Sequence, residues 1–440
     1  MKIGFVSLGC SKNLVDTEVM LKRLADAGYT ITPDETEADI IVVNTCGFIQ
    51  SAKEEAIDNI LDVAWLKKNR ALKGIIATGC LVERYREQVL EEMPEVDAAL
   101  GTGSYHKIVE AVEAVARGEK YASFEDKNEA PLGGERIVTT PPYTAYLKVA
   151  EGCDNRCTYC AIPLIRGRMR SRRIEDVVAE AKALEKIGVK ELNIIAQDTS
   201  RYGLDLYGKY MLPELVQKIL AETQIPWIRL LYLYPDKITD ELVAVIRDND
   251  RVCKYVDLPV QHVSDTVLAR MNRHGDGAVV RAAVEKIRRE IPGVTLRTTA
   301  IVGFPGETEE QFAELCEFVK ETGFDRFGAF TYSPEEGTPA AEFPDQIDEQ
   351  VKQDRYDTLM AVQLAVSEKK MQERLGDVVE VLCEGYDHVA GVQYGRSRAD
   401  APDVDGKVYF TSAKKLPEGV FVNVKITKAL DYDLFGEAVR

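Results

Sequence analysis

Over residues 1 to 118, short apolar runs alternate with segments whose apolar positions recur at helical spacing. The runs Lys2–Leu8, Asp39–Asn44, Gly74–Thr78 and Asp97–Leu100 read as buried strands. The segments Leu14–Ala27, Ser51–Lys68, Glu83–Glu92 and His106–Arg117 read as helices. Alternation of this kind predicts a parallel sheet with helices on its faces. The pattern breaks over 119–142, where Pro131, Gly133-Gly134 and Pro141-Pro142 mark a linker. It resumes over 143–375. Strands are expected at Tyr143–Ala150, Glu191–Ala196, Trp227–Tyr234, Tyr255–Pro259, Leu296–Val302 and Arg326–Thr331, with amphipathic helical segments between them. Six such units predict a partial (β/α)6 barrel, with its functional groups at the carboxyl ends of the strands. After a long helical segment from Asp348 to Arg374, the period changes to short strands over 376–440, the pattern of a small β-barrel. The chain thus reads as a multidomain α/β protein.

The cysteines change this picture from scaffold to chemistry. Cys153, Cys157 and Cys160 stand in one short loop, spaced C-x3-C-x2-C, just after the first barrel strand. A structural zinc site and a ferredoxin-type cluster both take four protein ligands. The nearest other cysteines are Cys80 and Cys253, so no fourth local thiol completes such a site. Three thiolates on a 4Fe–4S cluster leave one iron open to a small molecule. Cys10, Cys46 and Cys80 form a second set. They lie 36 and 34 residues apart, about one βαβ unit each, and each follows a strand. In a parallel sheet all carboxyl ends share one edge, so the three converge there without any local motif. Each also follows a small or polar residue (Gly9, Thr45, Gly79), which permits close approach. The alternative for this set is three buried structural cysteines. Cys253 and Cys316 read as core residues, and His106 and His388 carry no supporting pattern.

Composition narrows the setting. Of 440 residues, 45% are hydrophobic and 29% charged, the balance of an ordinary globular chain. No apolar run reaches the length of a membrane span, and Met1–Val6 reads as a strand rather than a signal peptide. The nine cysteines are therefore expected in a reducing, cytoplasmic setting. A net charge of −17 makes the chain a poor general binder of nucleic acid. The one basic stretch, Ile162–Arg173, carries five arginines beside the cysteine loop. They could pair carboxylates of a ligand, or they could form a solvated surface loop.

The C-x3-C-x2-C loop resembles the signature of radical S-adenosylmethionine (SAM) enzymes. The stretches Ser7–Asp16 and Asn44–Ile49 resemble the N-terminal domain of the methylthiotransferase family, and the small β-barrel resembles its terminal TRAM domain. The resemblance covers essentially the whole chain. It implies two 4Fe–4S clusters, one on Cys153, Cys157 and Cys160 that binds SAM, and an auxiliary one on Cys10, Cys46 and Cys80. It implies sulfur insertion into an unactivated C–H bond, leaving a methylthio group. Gln197, Asp198 and Gln261, at strand ends, are candidate contacts to SAM. So are Gly303–Thr308 and Met271–Gly275, although Glu307-Thr308 could equally only start a helix. An electron donor such as flavodoxin or ferredoxin is also implied.

Two branches of the family differ in substrate. From residue 377 onward there are eight bases and eleven acids, a net of −3. A module that grips RNA is expected to be basic. Gly395–Gly406 and Lys12-Asn13-Leu14 resemble the branch that modifies an aspartate of a small-subunit ribosomal protein. The tRNA-modifying branch is the first alternative, and a non-catalytic Fe–S binding protein the second.

Overall fold

The computed structural model describes residues 1–439; Arg440, counted in the charge of the last domain, lies outside the described residues. Three sheets organise the chain. The first is a six-stranded parallel sheet in which Lys2–Ser7, Ile40–Thr45, Gly74–Gly79 and Ala98–Leu100 are adjacent. Ile40–Thr45 and Gly74–Gly79 are buried throughout, which explains their unbroken apolar character. Thr30–Ile31 and Tyr121–Ser123 add short edge strands that the apolar pattern did not show. The helix expected over Glu83–Glu92 is two helices, Cys80–Tyr85 and Glu87–Glu92. They break at Arg86, whose φ of +44° cannot continue a right-handed helix.

Residues 119–142 contain the edge strand Tyr121–Ser123 and then run as a strap fixed to both neighbours. Ile137 N–H and Thr139 N–H donate to the backbone and carboxylate of Glu18, 3.1 and 2.7 Å. Arg136 pairs with Glu18 on one side and with Glu180, 2.8 Å, on the other.

The second sheet is six parallel strands in chain order, Thr144–Lys148, Glu191–Ile195, Trp227–Leu230, Val252–Asp257, Thr295–Val302 and Arg326–Thr331. It does not close, because Arg326–Thr331 and Thr144–Lys148 are its two free edges. Its main core is a continuous packing of Val, Leu and Ile between strands and outer helices, including Leu192, Ile194, Leu215, Ile246 and Leu315.

The third sheet is a closed five-stranded barrel over 378–439. It docks at the amino-terminal ends of the open sheet. Glu191, at the first position of the second strand, is fully buried and receives Arg396 at 2.5 Å and Arg229 at 3.0 Å. The segment Asp400–Asp405 reaches the strands beside it. Asp400 pairs with Arg326, the Tyr146 hydroxyl donates to Asp403 at 2.7 Å, and the Tyr255 hydroxyl donates to Asp405 at 2.6 Å. Ala401 and Leu382 pack on Tyr146, Cys253 and Tyr255. Several charges in the acidic tally of this domain are therefore internal, so the tally overstates what a partner would meet.

Burial alone would push the Glu191 carboxyl up, but the Arg396 and Arg229 guanidiniums outweigh it and hold the group at about 2. A folded-state value below the unfolded one, about 4.3, gives stability that is complete above that value and lost as pH falls toward 2. Wild type is expected to lose stability steeply between about pH 4.5 and 2, followed by urea unfolding. Glu191→Gln is expected to be destabilised at neutral pH by about 3–5 kcal/mol, because buried Arg229 loses its counter-charge and Arg396 keeps only Glu384, and to be less pH-dependent in that window.

Candidate active site at the sheet edges

Cys10, Cys46 and Cys80 end the first, second and third long strands of the N-terminal sheet and share one edge. Backbone approach here leaves no room for side chains. Gly9 has φ +84°, and a methyl on it would lie 3.0 Å from Cys46 Sγ. A methyl on Gly47 would lie 2.6 Å from the Leu81 backbone, in the turn after Cys80. Asn13 ties the loops together. Its amide donates to Leu8 O at 2.9 Å and Thr45 O at 3.0 Å. Asn44 donates to Asn13 O at 2.8 Å, and Thr45 Oγ1 donates to Thr78 O at 2.6 Å. Cys10 is exposed, Cys46 half-buried and Cys80 buried. The donor set is soft sulfur, and glycine stands where a bulky inorganic group would crowd a side chain. Among the described residues no three His, Cys, Asp or Glu groups converge on a single metal ion. A cluster makes a different demand, since each thiolate binds its own iron.

Cys153, Cys157 and Cys160 follow the first strand of the open sheet, as their spacing requires. Cys153 and Cys160 are half-buried, and Cys157 is buried. Burial pushes the Cys153 thiol up to about 12. The loop is fastened from several sides. Thr158 N–H donates to Met271 O at 3.0 Å, and the Asn272 amide donates to Arg156 O at 2.9 Å. Arg273 lies 4.0 Å above the Tyr234 ring and donates to the Tyr159 hydroxyl at 3.3 Å. The Met271–Gly275 stretch thus clamps the cysteine loop.

The candidate SAM contacts have distinct surroundings. Asp198 is buried and already accepts from the Asn155 amide at 2.7 Å and the Ser200 hydroxyl at 2.5 Å. Its carboxylate holds the cysteine loop through Asn155. The Gln197 amide donates to Glu151 Oε1 at 2.6 Å, while its buried Oε1 has no partner. Gln261 takes φ +69° and bridges the Thr295–Val302 strand through its backbone. Glu307 receives Gly303 N–H at 3.0 Å and Arg355 at 2.9 Å, so it fastens its own turn to the helix Glu349–Gln372. Thr308 caps the helix Glu309–Thr322 in a reciprocal box with Gln311.

The two cysteine sets are joined by a buried charged network that the sequence did not reveal. Arg166 sits at its centre, 3% exposed. It donates to Asp16 at 2.5 Å, Glu151 at 3.3 Å, Asn13 Oδ1 at 2.6 Å and Cys80 Sγ at 3.4 Å. Lys148 pairs with the same Asp16 and with Glu151 at 2.7 Å. Asp16 and Asn13 belong to the N-terminal domain, and Glu151 stands two residues before Cys153. Of the five arginines read as a possible ligand patch, Arg166, Arg170 and Arg172 are engaged internally. Arg170 donates to Ala130 O and Lys127 O, and Arg172 to Lys148 O and Glu180. Arg168 and Arg173 are exposed.

The N-terminal domain also grips the other free edge of the open sheet. Glu335, just beyond the last strand, is 2% exposed and receives Arg84 at 2.6 Å and Lys53 at 3.1 Å. The N-terminal domain therefore spans the gap between first and last strands. At its cysteine edge Arg166 bonds both Cys80 Sγ and Glu151, two residues before the cysteine loop.

A parallel α/β sheet with this cysteine loop after its first strand defines a radical SAM protein. Residues 147–319 match the radical SAM superfamily, 2–101 match the uncharacterized protein family UPF0004, and 375–439 match the TRAM domain. The radical SAM methyltransferase TsrM from Kitasatospora setae superimposes with a TM-score of 0.56 at 13% identity, covering 83% of this chain and 89% of that one. That likeness concerns the fold alone. A ribosomal protein uS12 methylthiotransferase RimO of Desulforamulus reducens is 50% identical over 100% of this chain and 99% of its own length. A protein of the same name from Geobacter sulfurreducens is 50% identical over 100% and 98%. The chain belongs to the RimO methylthiotransferase family.

Proposed function

We propose that this enzyme places a methylthio group on the β-carbon of an aspartate in ribosomal protein uS12. The observation that carries the reading is Arg166, which bonds both Cys80 Sγ of one three-cysteine set and Glu151, two residues before the other, on a chain that matches uS12 methylthiotransferases end to end. Cys153, Cys157 and Cys160 would hold a SAM-binding 4Fe–4S cluster, and Cys10, Cys46 and Cys80 an auxiliary one. When bound, these groups supply hydrogen abstraction from carbon and delivery of sulfur.

The chain's own residues supply placement. Asn13 ties the Leu8 and Thr45 loops together, and Gly9 and Gly47 allow the close approach that one group held by the three thiols would need. Asp198 and Asn155 set the cysteine loop. The buried, unpartnered Gln197 Oε1 is an acceptor suited to an ammonium or hydroxyl group, and Gln261 follows the fourth strand of the same sheet. Arg166, Lys148, Asp16 and Glu151 link the two sites through paired, buried charge. A one-electron donor such as flavodoxin or ferredoxin serves the reaction, in the cytoplasm where ribosomes assemble.

Deleting the gene in its host tests the reading. Mass spectrometry of ribosomal proteins is expected to show loss of one methylthio group from uS12, with digested tRNA unchanged. Loss of a methylthioadenosine instead assigns the chemistry to tRNA.

A further inference from the structure

The helix Gln50–Asn69 begins four residues after Cys46 and carries an apolar stripe that nothing in the fold covers. Ile57, Leu61 and Trp65 are 39, 49 and 58% exposed. Their i, i+4, i+8 spacing places them on one face. The opposite face, with Ala56, Ile60 and Val63, is the one buried in the domain. A large exposed Trp beside two aliphatic residues is a candidate contact surface rather than scatter.

Charge beside the stripe narrows what could cover it. Glu54, Glu55, Asp58 and Asp62 are all exposed on the flank of the stripe. The helix's cations neutralise them only in part. Lys53 turns inward to Glu335, and Lys67 pairs with Asp97 at 2.5 Å, which leaves the exposed Lys68 in the last turn against four acids. An acidic ridge along an apolar stripe fits a partner that offers Lys and Arg around an apolar anchor. It repels an acidic electron donor. A protein that lives among RNA phosphates is basic, so the protein substrate has the required chemistry.

Position agrees. At 1.5 Å rise per residue, Ile57 lies about 10 Å along the helix from Gln50, the end nearest the Cys46 loop. Lys53 of the same helix meets Glu335 beside the open edge of the barrel. The terminal β-barrel docks at the far ends of the strands, on Glu191 and Arg326. It is therefore poorly placed to grip a loop that enters between the cysteine sites.

We propose that the Ile57–Leu61–Trp65 stripe and its acidic ridge form the docking surface for the basic protein substrate, a reading that rests on uS12 being that substrate. The helix holds the body of the protein while one of its loops enters the gap between the two cysteine sites.

The test uses the full-length reconstituted enzyme and purified, fluorescently labelled uS12. Two variants are compared with wild type, Leu61→Ser with Trp65→Ser, and Asp58→Lys with Asp62→Lys. All four side chains are exposed, so unchanged melting and iron content are expected. The apolar variant is expected to raise Kd at least tenfold, about 1.4 kcal/mol. KM for uS12 rises with it, while kcat at saturation and SAM cleavage without substrate stay unchanged. The charge-reversed variant is expected to bind more weakly and to lose the salt dependence of wild-type binding. Wild-type modification of uS12 with variant Kd values within twofold overturns the docking surface alone. A wild-type dimer that dissociates in the Trp65→Ser variant overturns it too, by assigning the stripe to a second copy. No binding and no modification of uS12 by wild type overturns the function reading, and this one with it.

Discussion

Arg166→Met is expected to destabilise the protein by about 3–5 kcal/mol, because it leaves buried carboxylates short of a counter-charge. Methionine keeps much of the length of arginine and none of its donors. Asp16 and Glu151 would then share Lys148 alone, and Asn13 Oδ1 and Cys80 Sγ would lose their donor. Since Asn13 also ties Leu8 and Thr45 together, the damage is expected to reach the Cys10–Cys46–Cys80 site first. Iron per protein should fall toward half, with the spectroscopic signal of the SAM-binding site retained. Arg166→Lys restores the charge and not the fork, so it is expected to recover stability only in part. Urea unfolding with iron analysis checks both. An Arg166→Met protein with wild-type stability and full iron would show that the network does not hold the two sites together.

The second large effect separates the sites by chemistry. Cys153→Ala is expected to abolish SAM cleavage under reducing, anaerobic conditions. Cys80→Ala is expected to retain SAM cleavage and lose methylthio transfer to uS12. The two variants therefore fail at different products, read by chromatography of the SAM fragments and by mass spectrometry of uS12. The separation follows from placement. Cys80 opens a helix of the N-terminal domain, whereas Cys153 is anchored by the barrel's own Asp198–Asn155 contact and by the Met271–Gly275 clamp. Loss of cleavage in both variants would mean that the two sets work as one site.

The positions of both cysteine sets were legible because they follow from topology. A buried strand announces itself by an apolar run, and its carboxyl end is then the next few residues. The break at Arg86 was not legible, since Glu83–Glu92 keeps helical spacing across a single residue of positive φ. Thr30–Ile31 and Tyr121–Ser123 are too short to show any period. The network around Arg166 joins residues up to 153 positions apart, and the Lys53–Glu335 pair spans 282, so neither leaves a local signature. The same blindness affected charge. Asp400, Asp405 and Arg396 count as surface groups in a sequence, yet their side chains are at most 3% exposed and bind the domains to each other. The substrate branch was read from short motifs and from a charge balance, and the end-to-end match to uS12 methylthiotransferases supports it more firmly than that balance does.

The most direct measurement is a single anaerobic reaction. The reconstituted enzyme is given SAM, a one-electron reductant, and equal amounts of purified uS12 and unmodified tRNA, and both products are analysed by mass spectrometry. The account predicts a methylthio group on one uS12 aspartate, at the β-carbon, and none on tRNA. A methylthio group on a tRNA adenosine, with uS12 untouched, would contradict it.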